Sequence, residues 1–202
     1  MTTISELFGR CITPEAKKPH TPRVDSLTAP IPAKSDSAPD QYEAGVFNFL
    51  LANKEALGIK DVMKFTALFV DGAVELKDGR RMTIEIKLRM NWMKASQSEG
   101  QFRTFVKRTD RRPFSVDGGL VFFEEFCGDG WEKWAKRRLL ENGWSEWYRG
   151  HSEVEGFRVD LLRLRAGKLE GFPSNEIVIA QLERLTPQEV SRLFASLAKT
   201  GG

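Results

Sequence analysis

The sequence predicts a fold of the α/β class (α+β in its order of elements), in which helices flank a mixed β-sheet. Three observations predict this class: a β-hairpin pattern near the middle of the chain, helical spacing of apolar residues on either side of it, and an apolar run within residues 119–126. Apolar periods of two and of 3.6 residues are typical of half-buried strands and of amphipathic helices. The predicted core order is therefore αβββαβ, followed by additional C-terminal strands and a helix.

The first segment of the chain is predicted to be a tail. Residues 1–40 contain six of the nine prolines together with many Ser, Thr and Lys residues. Such a composition buries too little apolar surface to order itself. We therefore expect a disordered Pro-rich tail at residues 1–40, able to dock a protein partner, and a single folded domain at residues 41–200.

Two helices are predicted around the hairpin. The first spans about residues 40–56 and is closed by Gly58, and the second spans residues 93–108, interrupted by Gly100. An apolar β-rich run at residues 63–69 leads into the hairpin, and residues 119–126 are typical of a buried central strand. Gly118-Gly119 is interpreted as a turn before that strand. The apolar residues that define the two helices are Tyr42, Val46, Phe47, Phe49, Leu50 and Leu57, then Phe102, Phe105 and Val106.

The last third of the chain carries weaker signals. It predicts a helix at residues 131–141 and strands at residues 156–165 and 176–185. A final helix is well marked, because Thr186, Pro187 and Glu189 together form a capping-box pattern.

The hairpin sequence determines its own register. Residues 70–76 and 82–88 alternate apolar and polar side chains, and Asp78-Gly79 between them is a strong turn signal. The large apolar residues of both runs are all even-numbered, so even residues must lie opposite even residues. A three-residue loop with Gly79 in the left-handed conformation satisfies this condition and pairs Leu76 with Arg80.

That register predicts a pair of carboxylates. Asp71 falls directly opposite Glu85 on the polar face, with Lys87 one step along the strand. Like charges at opposed positions repel, and a cation between them removes the repulsion. Mg²⁺ prefers oxygen ligands and keeps waters for a phosphate substrate, while a lysine can orient or deprotonate a water. The pattern therefore predicts a phosphodiester-cutting site on one hairpin.

A simpler interpretation competes with this one. Glu-x-Lys occurs three times, at residues 15–17, 75–77 and 85–87. Charges on an exposed strand usually remain hydrated, and Glu85 could pair with Arg81 or Lys87 alone. The first copy lies in the predicted tail and the second runs into the turn, so the opposed Asp71 favours the third copy as a site.

Composition excludes several other classes of site. Cys11 and Cys127 lie far apart, which argues against a disulfide framework and favours a reducing, cytoplasmic location. Two Cys and two His residues are too few for the usual zinc site, although His151 stays a candidate general base. No membrane association is expected, because no run reaches about 18 apolar residues.

A nucleic-acid partner is predicted from clustered charge, since the net charge is only +3. The first basic cluster, at residues 103–112, contains a single acidic residue, Asp110. Trp92, which follows the hairpin, is a candidate for lining a substrate channel. The second basic cluster, at residues 133–138, lies among tryptophans and is interpreted as a solvated or packing helix face as readily as a binding one. The candidate phosphate contacts are Arg103, Lys107, Arg108, Arg111 and Arg112.

With these elements in place, residues 40–126 resemble the PD-(D/E)xK nuclease superfamily, which has a restriction endonuclease-like fold. Asp71 matches the Asp of its second strand, and Glu85-Ile86-Lys87 matches the (D/E)xK of its third. Gln101 and Phe105 match a Gln-x-x-x-aromatic pattern on the following helix, and Glu43 stands where several members carry an acidic residue. Val70 replaces a proline, and Phe105 replaces the usual tyrosine, which removes any role for a hydroxyl.

The resemblance implies a metal-dependent nuclease, with DNA favoured over RNA as its substrate and a homodimer as one assembly found in the superfamily. Asp71 and Glu85 would bind Mg²⁺ or Mn²⁺, with Glu43 as an extra ligand or water anchor. Lys87 would activate or position the water, and Gln101 would help hold the site or the scissile phosphate.

Two alternatives stay open at this point. One is a catalytically inactive module of the same fold that binds nucleic acid or a protein partner. The other is a small regulator in which the hairpin is purely structural.

Overall fold

The structure is a computed structural model that describes residues 22–108, 114–127, 150–171, 186–189 and 191. Its described part is a mixed α/β fold with an eight-stranded sheet and two flanking helices. The helices are α1 (Ala38–Ala52) and α2 (Trp92–Lys107). The strands are β1 (Arg23–Ser26), β2 (Ile59–Thr66), β3 (Gly72–Leu76), β4 (Arg81–Met90), β5 (Gly118–Phe126), β6 (His151–Val154), β7 (Phe157–Arg165) and β8 (Lys168–Gly171).

The sheet combines an antiparallel half with a parallel centre. Its strand order is β1-β2-β3-β4-β5-β7-β6, and β8 pairs with β7. Strands β4, β5 and β7 run parallel to one another, while the other pairings are antiparallel. A parallel pair needs a long crossover, which α2 supplies between β4 and β5. The predicted mixed sheet with flanking helices and the order αβββαβ are confirmed by α1, β2, β3, β4, α2 and β5.

Each face of the sheet is covered by one helix. The first helix buries Val46, Phe47 and Leu50 against Val74 and Ile84. On the opposite face, α2 buries a second set of residues against the sheet. That set includes Trp92, Ala95, Phe102 and Phe105 from the helix, with Ala73, Val121, Phe123, Val159 and Leu161 from the strands. Because both faces are covered, the central strand β5 buries apolar side chains on both sides, at Val121, Phe122 and Phe123.

The hairpin has the predicted register. Ala73 lies opposite Thr83 and Val74 opposite Met82, so even residues oppose even ones. The Leu76 amide donates to the Arg80 carbonyl at 2.8 Å, which closes the predicted three-residue loop. Gly79 has a φ of 88°, the left-handed conformation that its turn position requires.

The face predicted to be polar is not exposed to solvent, and this corrects the sequence analysis. Thr83 and Glu85 are buried, because α2 lies over the odd-numbered side of the hairpin. The sequence pattern of alternating charge predicted a hydrated surface there. Val70 precedes β3 and does not follow the side-chain alternation of that strand. It packs in the hydrophobic cluster under α2.

The folded domain begins earlier than predicted, so the tail assignment is wrong for residues 22–40. Strand β1 pairs with β2, with Val24 opposite Phe65. Further along, the Asn48 side chain exchanges hydrogen bonds with the backbone of Ile31, at 2.8 and 3.0 Å. Ser37 then caps α1, which starts two residues before its predicted start. Residues 1–21 lie outside the described part of the chain.

The remaining predictions for individual elements are confirmed only in part where the structure describes them. Helix α1 ends at Ala52 with Asn53 as its C-cap, earlier than predicted, and α2 passes through Gly100 without a break. Gly118-Gly119 begins β5 and does not form the predicted turn. The Thr186 amide donates to the Glu189 side chain at 3.0 Å, as a capping box requires. The helix predicted at residues 131–141 and the strand predicted at residues 176–185 lie outside the described residues.

Among the helices of the described ranges, none is both long enough and apolar enough to cross a membrane.

Close packing at Gly72 should make this position intolerant of any side chain. A Cβ atom there would lie 2.3 Å from the Met63 carbonyl oxygen and 2.9 Å from the Phe47 ring. We expect Gly72→Ala to destabilise the fold by about 1–3 kcal/mol, because a backbone oxygen in a strand cannot move aside without a large energetic cost. The measurement is the free energy of unfolding in urea.

Gly100→Ala is the matched control for that substitution. Gly100 lies within α2, and a Cβ atom there would meet nothing within 4 Å. Alanine in a helix interior is favoured over glycine by about 1 kcal/mol, so this variant should be equally or more stable than the wild type. Equal effects of the two substitutions would contradict the packing at Gly72.

Candidate functional site

Asp71 is held in place by both neighbouring strands. Its amide donates to the Ile84 carbonyl of β4 at 2.9 Å, and its carbonyl accepts from the Phe65 amide of β2 at 2.9 Å. The carboxylate continues the contact with β4, since its Oδ2 accepts from the Ile86 amide at 2.7 Å. The last paired residues of the hairpin are Gly72 and Ile84, and the Asp71 amide also donates to Ile84. The regular pairing therefore ends before Asp71, and the prediction that Asp71 lies directly opposite Glu85 is not confirmed.

Glu85 is the most deeply buried acidic side chain of the hairpin. Its residue is 1% exposed, and Val121 of β5 lies beside it on the face that α2 covers. One carboxylate oxygen, Oε1, forms an ion pair with Lys87. The other, Oε2, is buried and has no hydrogen-bond partner in the described structure. A buried carboxylate oxygen without a partner is costly, so this atom needs an explanation.

Burial raises the pKa of both carboxyl groups. For Glu85, desolvation is the largest cause and the charge of Asp71 is the next, and together they raise its pKa to about 7 despite the opposing effect of Lys87. For Asp71, desolvation also raises the pKa, while the hydrogen bond from Ile86 and the charge of Lys87 oppose that rise. Each carboxyl group thus lies within electrostatic reach of the other.

Gln101 joins this group from α2. Its side-chain Nε2 donates to the Phe69 carbonyl at 3.3 Å, which ties the helix to the segment before Asp71. Hydrogen bonding from Gln101 also lowers the pKa of Glu85. Helix α2 is anchored nearby by the buried rings of Phe102 and Phe105. The structure therefore brings together Asp71, Glu85, Lys87 and Gln101, which the sequence predicted as one site.

Glu43 lies on α1, and its carboxylate contacts cations instead of the other acids. It forms an ion pair with Lys64 and lies 3.2 Å from the ammonium of Lys34. Its charge still raises the pKa of Asp71, so the two residues are close. Within the described ranges, no group of three or more His, Cys, Asp or Glu side chains could hold a metal ion. Glu43 is therefore not placed as a third ligand.

The donor set nevertheless fits a hard divalent ion. Mg²⁺ is commonly bound through only one or two carboxylates, with water and substrate oxygens completing its coordination. Asp71 and Glu85 supply two carboxylates of like charge, and Glu85 Oε2 is a buried oxygen that lacks a partner in the described structure. A cation at this position would satisfy that oxygen and remove the repulsion between the two charges.

The predicted phosphate contacts are only partly described. Arg103 pairs with Glu99 at 3.1 Å and with Glu155 at 3.3 Å, and Lys107 pairs with Glu155 at 3.2 Å. A phosphate at these two side chains would compete with carboxylates that already contact them. The C-cap residue of α2 is Arg108. Arg111 and Arg112 lie outside the described residues, as do the second basic cluster and its tryptophans.

Two other sequence-based candidates lie away from the site. Trp92 is fully buried and packs edge-on against Phe126, with 5.1 Å between ring centroids, so the expectation that it lines a substrate channel is wrong. The sequence could not show that the first residue of α2 points into the core. His151 lies on β6, which β5 and β7 separate from β4, so it does not reach Asp71.

Sequence reasoning missed two lysines near the site. Lys64 and Lys34 both contact Glu43, and the charge of Lys34 acts on Asp71. The sequence does mark Lys64, because it is the single cation in the apolar run at residues 62–69. It does not mark Lys34, since this residue lies in the segment that composition predicted to be disordered.

Comparison with known proteins identifies no relative. No protein-family model, no curated protein and no solved structure matches the chain.

Burial of Glu85 should make the fold less stable at high pH when no metal is bound. Its pKa is about 7 in the folded protein, above the ordinary 4.5, so stability falls as the pH rises from about 4.5 to about 7. We expect Glu85→Gln to remove this loss and to raise stability at pH 8 by on the order of 2–3 kcal/mol. The measurement is thermal unfolding in a metal chelator at pH 5 and at pH 8.

Glu75→Gln is the control for that experiment. Glu75 lies on the same hairpin, but hydrogen bonds from Lys60 and Arg81 lower its pKa. The charged form of Glu75 therefore favours folding, and its substitution should not raise stability at pH 8. A Glu85→Gln variant that is no more stable than wild type at pH 8 would contradict the unfavourable burial of this charge.

Proposed function

We propose that the protein is a metal-dependent nuclease that hydrolyses phosphodiester bonds of nucleic acid, with DNA the favoured substrate. The observation that carries this proposal is the buried Oε2 of Glu85, which has no hydrogen-bond partner in the described structure and belongs to a carboxylate close enough to Asp71 for the charge of Asp71 to raise its pKa. A purely structural hairpin gains nothing from one buried and one half-buried carboxylate of raised pKa. A site that binds a divalent cation explains both of them.

The chemistry follows from the groups that surround these carboxylates. Asp71 and Glu85 would hold Mg²⁺ or Mn²⁺, which when bound supplies a Lewis acid and a water of lowered pKa. Lys87 is partly exposed beside Glu85, where its ammonium can orient the attacking water and neutralise charge that develops on the phosphate. Gln101 on α2 would hydrogen-bond to the Glu85 carboxylate and hold it in its orientation.

The order of elements around the site supports a restriction endonuclease-like fold. Strands β2, β3 and β4 form an antiparallel meander between α1 and α2, and β5 then joins β4 in parallel. Asp71 immediately precedes the second strand of this meander and Glu85 lies within the third, close to the positions that the resemblance implies. Fold alone does not determine activity, so the proposal depends on the site and not on this likeness.

Cleavage of DNA is the direct test of the proposal. We expect purified protein with Mg²⁺ to cut plasmid or single-stranded DNA, and expect Lys87→Ala or Asp71→Asn to reduce the rate by about 10²-fold or more, because each removes a group that acts on the water or the metal. The measurement is the rate of DNA cleavage on gels, with and without a chelator.

The chain provides a matched control for these variants. Glu75-Leu76-Lys77 repeats the Glu-x-Lys pattern on the same hairpin, but its two charged groups pair with Lys60, Arg81 and Glu55. Glu75→Gln and Lys77→Ala should cut DNA at the wild-type rate. DNA binding by a wild-type protein that never cuts would favour the inactive module instead.

Metal binding can be tested without any substrate. We expect Mg²⁺ at about ten times its dissociation constant to raise the Tm of the wild type by roughly 3–6 °C at pH 8, because the ion binds only the folded state. Asp71→Asn and Glu85→Gln should abolish this shift, and Glu75→Gln should retain it. The same Mg²⁺-induced shift in all four proteins would place the ion elsewhere.

A further inference from the structure

A second charged cluster adjoins the carboxylate pair. It consists of Glu43 on α1, Lys64 on β2 and Lys34 in the segment before α1, and we call it the Glu43 cluster. The Glu43 carboxylate contacts both ammonium groups. Lys64 is the cross-strand neighbour of Gly72, which follows Asp71. The charges of Glu43 and Lys34 also act on Asp71, so the Glu43 cluster borders the candidate metal site.

Lys64 and Glu43 form the inner, well-supported part of this cluster. Each side chain is only 17% exposed. The Lys64 ammonium also lies 4.9 Å from the centroid of the Phe47 ring, within the range of a cation–π interaction. That ring packs closely over Gly72. An ion pair supported in this way is held more firmly than one between two exposed side chains.

Lys34 is the outer member, with 62% of its side chain exposed. Its backbone is nevertheless fixed at both ends. Ile31 is bound to Asn48 of α1 by two hydrogen bonds, and Ser37 caps the same helix. An ammonium group has three donors, and Glu43 accepts from it at 3.3 Å. Lys34 is thus a positioned cation that still faces solvent beside the site.

The charge balance favours an anion once a metal is bound. Four carboxylates, those of Asp71, Glu85, Glu43 and Asp40, the last within electrostatic reach of Lys34 and Lys64, stand against three ammonium groups. The ammonium groups are those of Lys34, Lys64 and Lys87. A divalent ion at Asp71 and Glu85 would leave a local excess of positive charge. Phosphate is the anion that every nucleic acid presents at such a surface.

We propose that Lys34 binds a backbone phosphate of the nucleic-acid substrate, next to the phosphate that is cut, and that Glu43 is a positioning residue for Lys34 and Lys64 and not a metal ligand. This inference rests on the proposed nuclease function. It assigns the substrate contact to Lys34, which lies outside the basic cluster that the sequence analysis predicted for this role.

Lys34→Ala tests the phosphate contact through binding. We expect the affinity for a fluorescein-labelled oligonucleotide to fall about fivefold to tenfold, and the slope of log K against log salt to fall by about 0.7–0.9, since one phosphate contact is lost. In cleavage assays KM should rise while kcat stays near the wild-type value. The measurements are fluorescence anisotropy between about 50 and 200 mM salt and steady-state kinetics.

Lys60→Ala is the matched control for Lys34→Ala. Lys60 is also a lysine paired with a glutamate, Glu75, and its side chain is 65% exposed. It lies at the other end of β2 from Lys64, away from Asp71. Its substitution should leave the salt slope and KM unchanged. If both lysine variants behave alike while the wild type cleaves, the inference is overturned and the nuclease proposal stands.

Glu43→Gln separates a positioning role from a metal-binding role. The Mg²⁺ concentration that gives half of the maximal Tm shift should equal that of the wild type. If it rises instead, Glu43 binds the ion and the inference is overturned. A wild type that binds DNA without cutting it, but loses salt slope in Lys34→Ala, would support the phosphate contact and overturn the nuclease proposal. A wild type that neither binds nor cuts would overturn both.

Discussion

The structure depends above all on placing the Glu85 carboxylate inside a sheet, close to the carboxylate of Asp71. Glu85 is buried under α2, and both its burial and the charge of Asp71 raise its pKa to about 7. The surrounding groups offset only part of the cost: Lys87 pairs with one oxygen, and the Ile86 amide donates to Asp71. A protein carries such a cost most readily at a functional site, where stability is exchanged for activity.

The rest of the described fold holds these two carboxylates close to each other. The tight loop at Gly79 sets the hairpin register, and Asp71 is hydrogen-bonded to β2 and β4 at once. Gly72 lets Phe47 approach the backbone directly behind Asp71. On the other face, the buried rings of α2 bring Gln101 over the site. Both helices therefore pack against the same short stretch of β3 and β4, from opposite faces of the sheet.

Charged side chains around the site form more ion pairs with one another than the sequence predicted. Glu43 was expected beside the metal, but its carboxylate contacts Lys64 and Lys34. Cations predicted to face a substrate, Arg103 and Lys107, contact Glu155. Four carboxylates around the site thus stand against three ammonium groups, a small excess of negative charge. In such an arrangement a single divalent ion, if bound, changes the sign of the local charge.

The sequence by itself determined the hairpin and its register from the turn to Gly72, because side-chain alternation and a two- or three-residue turn act over short distances. It also determined the two helices and the buried strand β5, whose apolar periods are strong. Only the tertiary structure decided that the polar side of the hairpin is covered by α2, that Trp92 is buried, and that residues 22–40 are ordered against α1 and β2. Those outcomes depend on which surfaces meet across long sequence separations, and no local pattern encodes such a meeting.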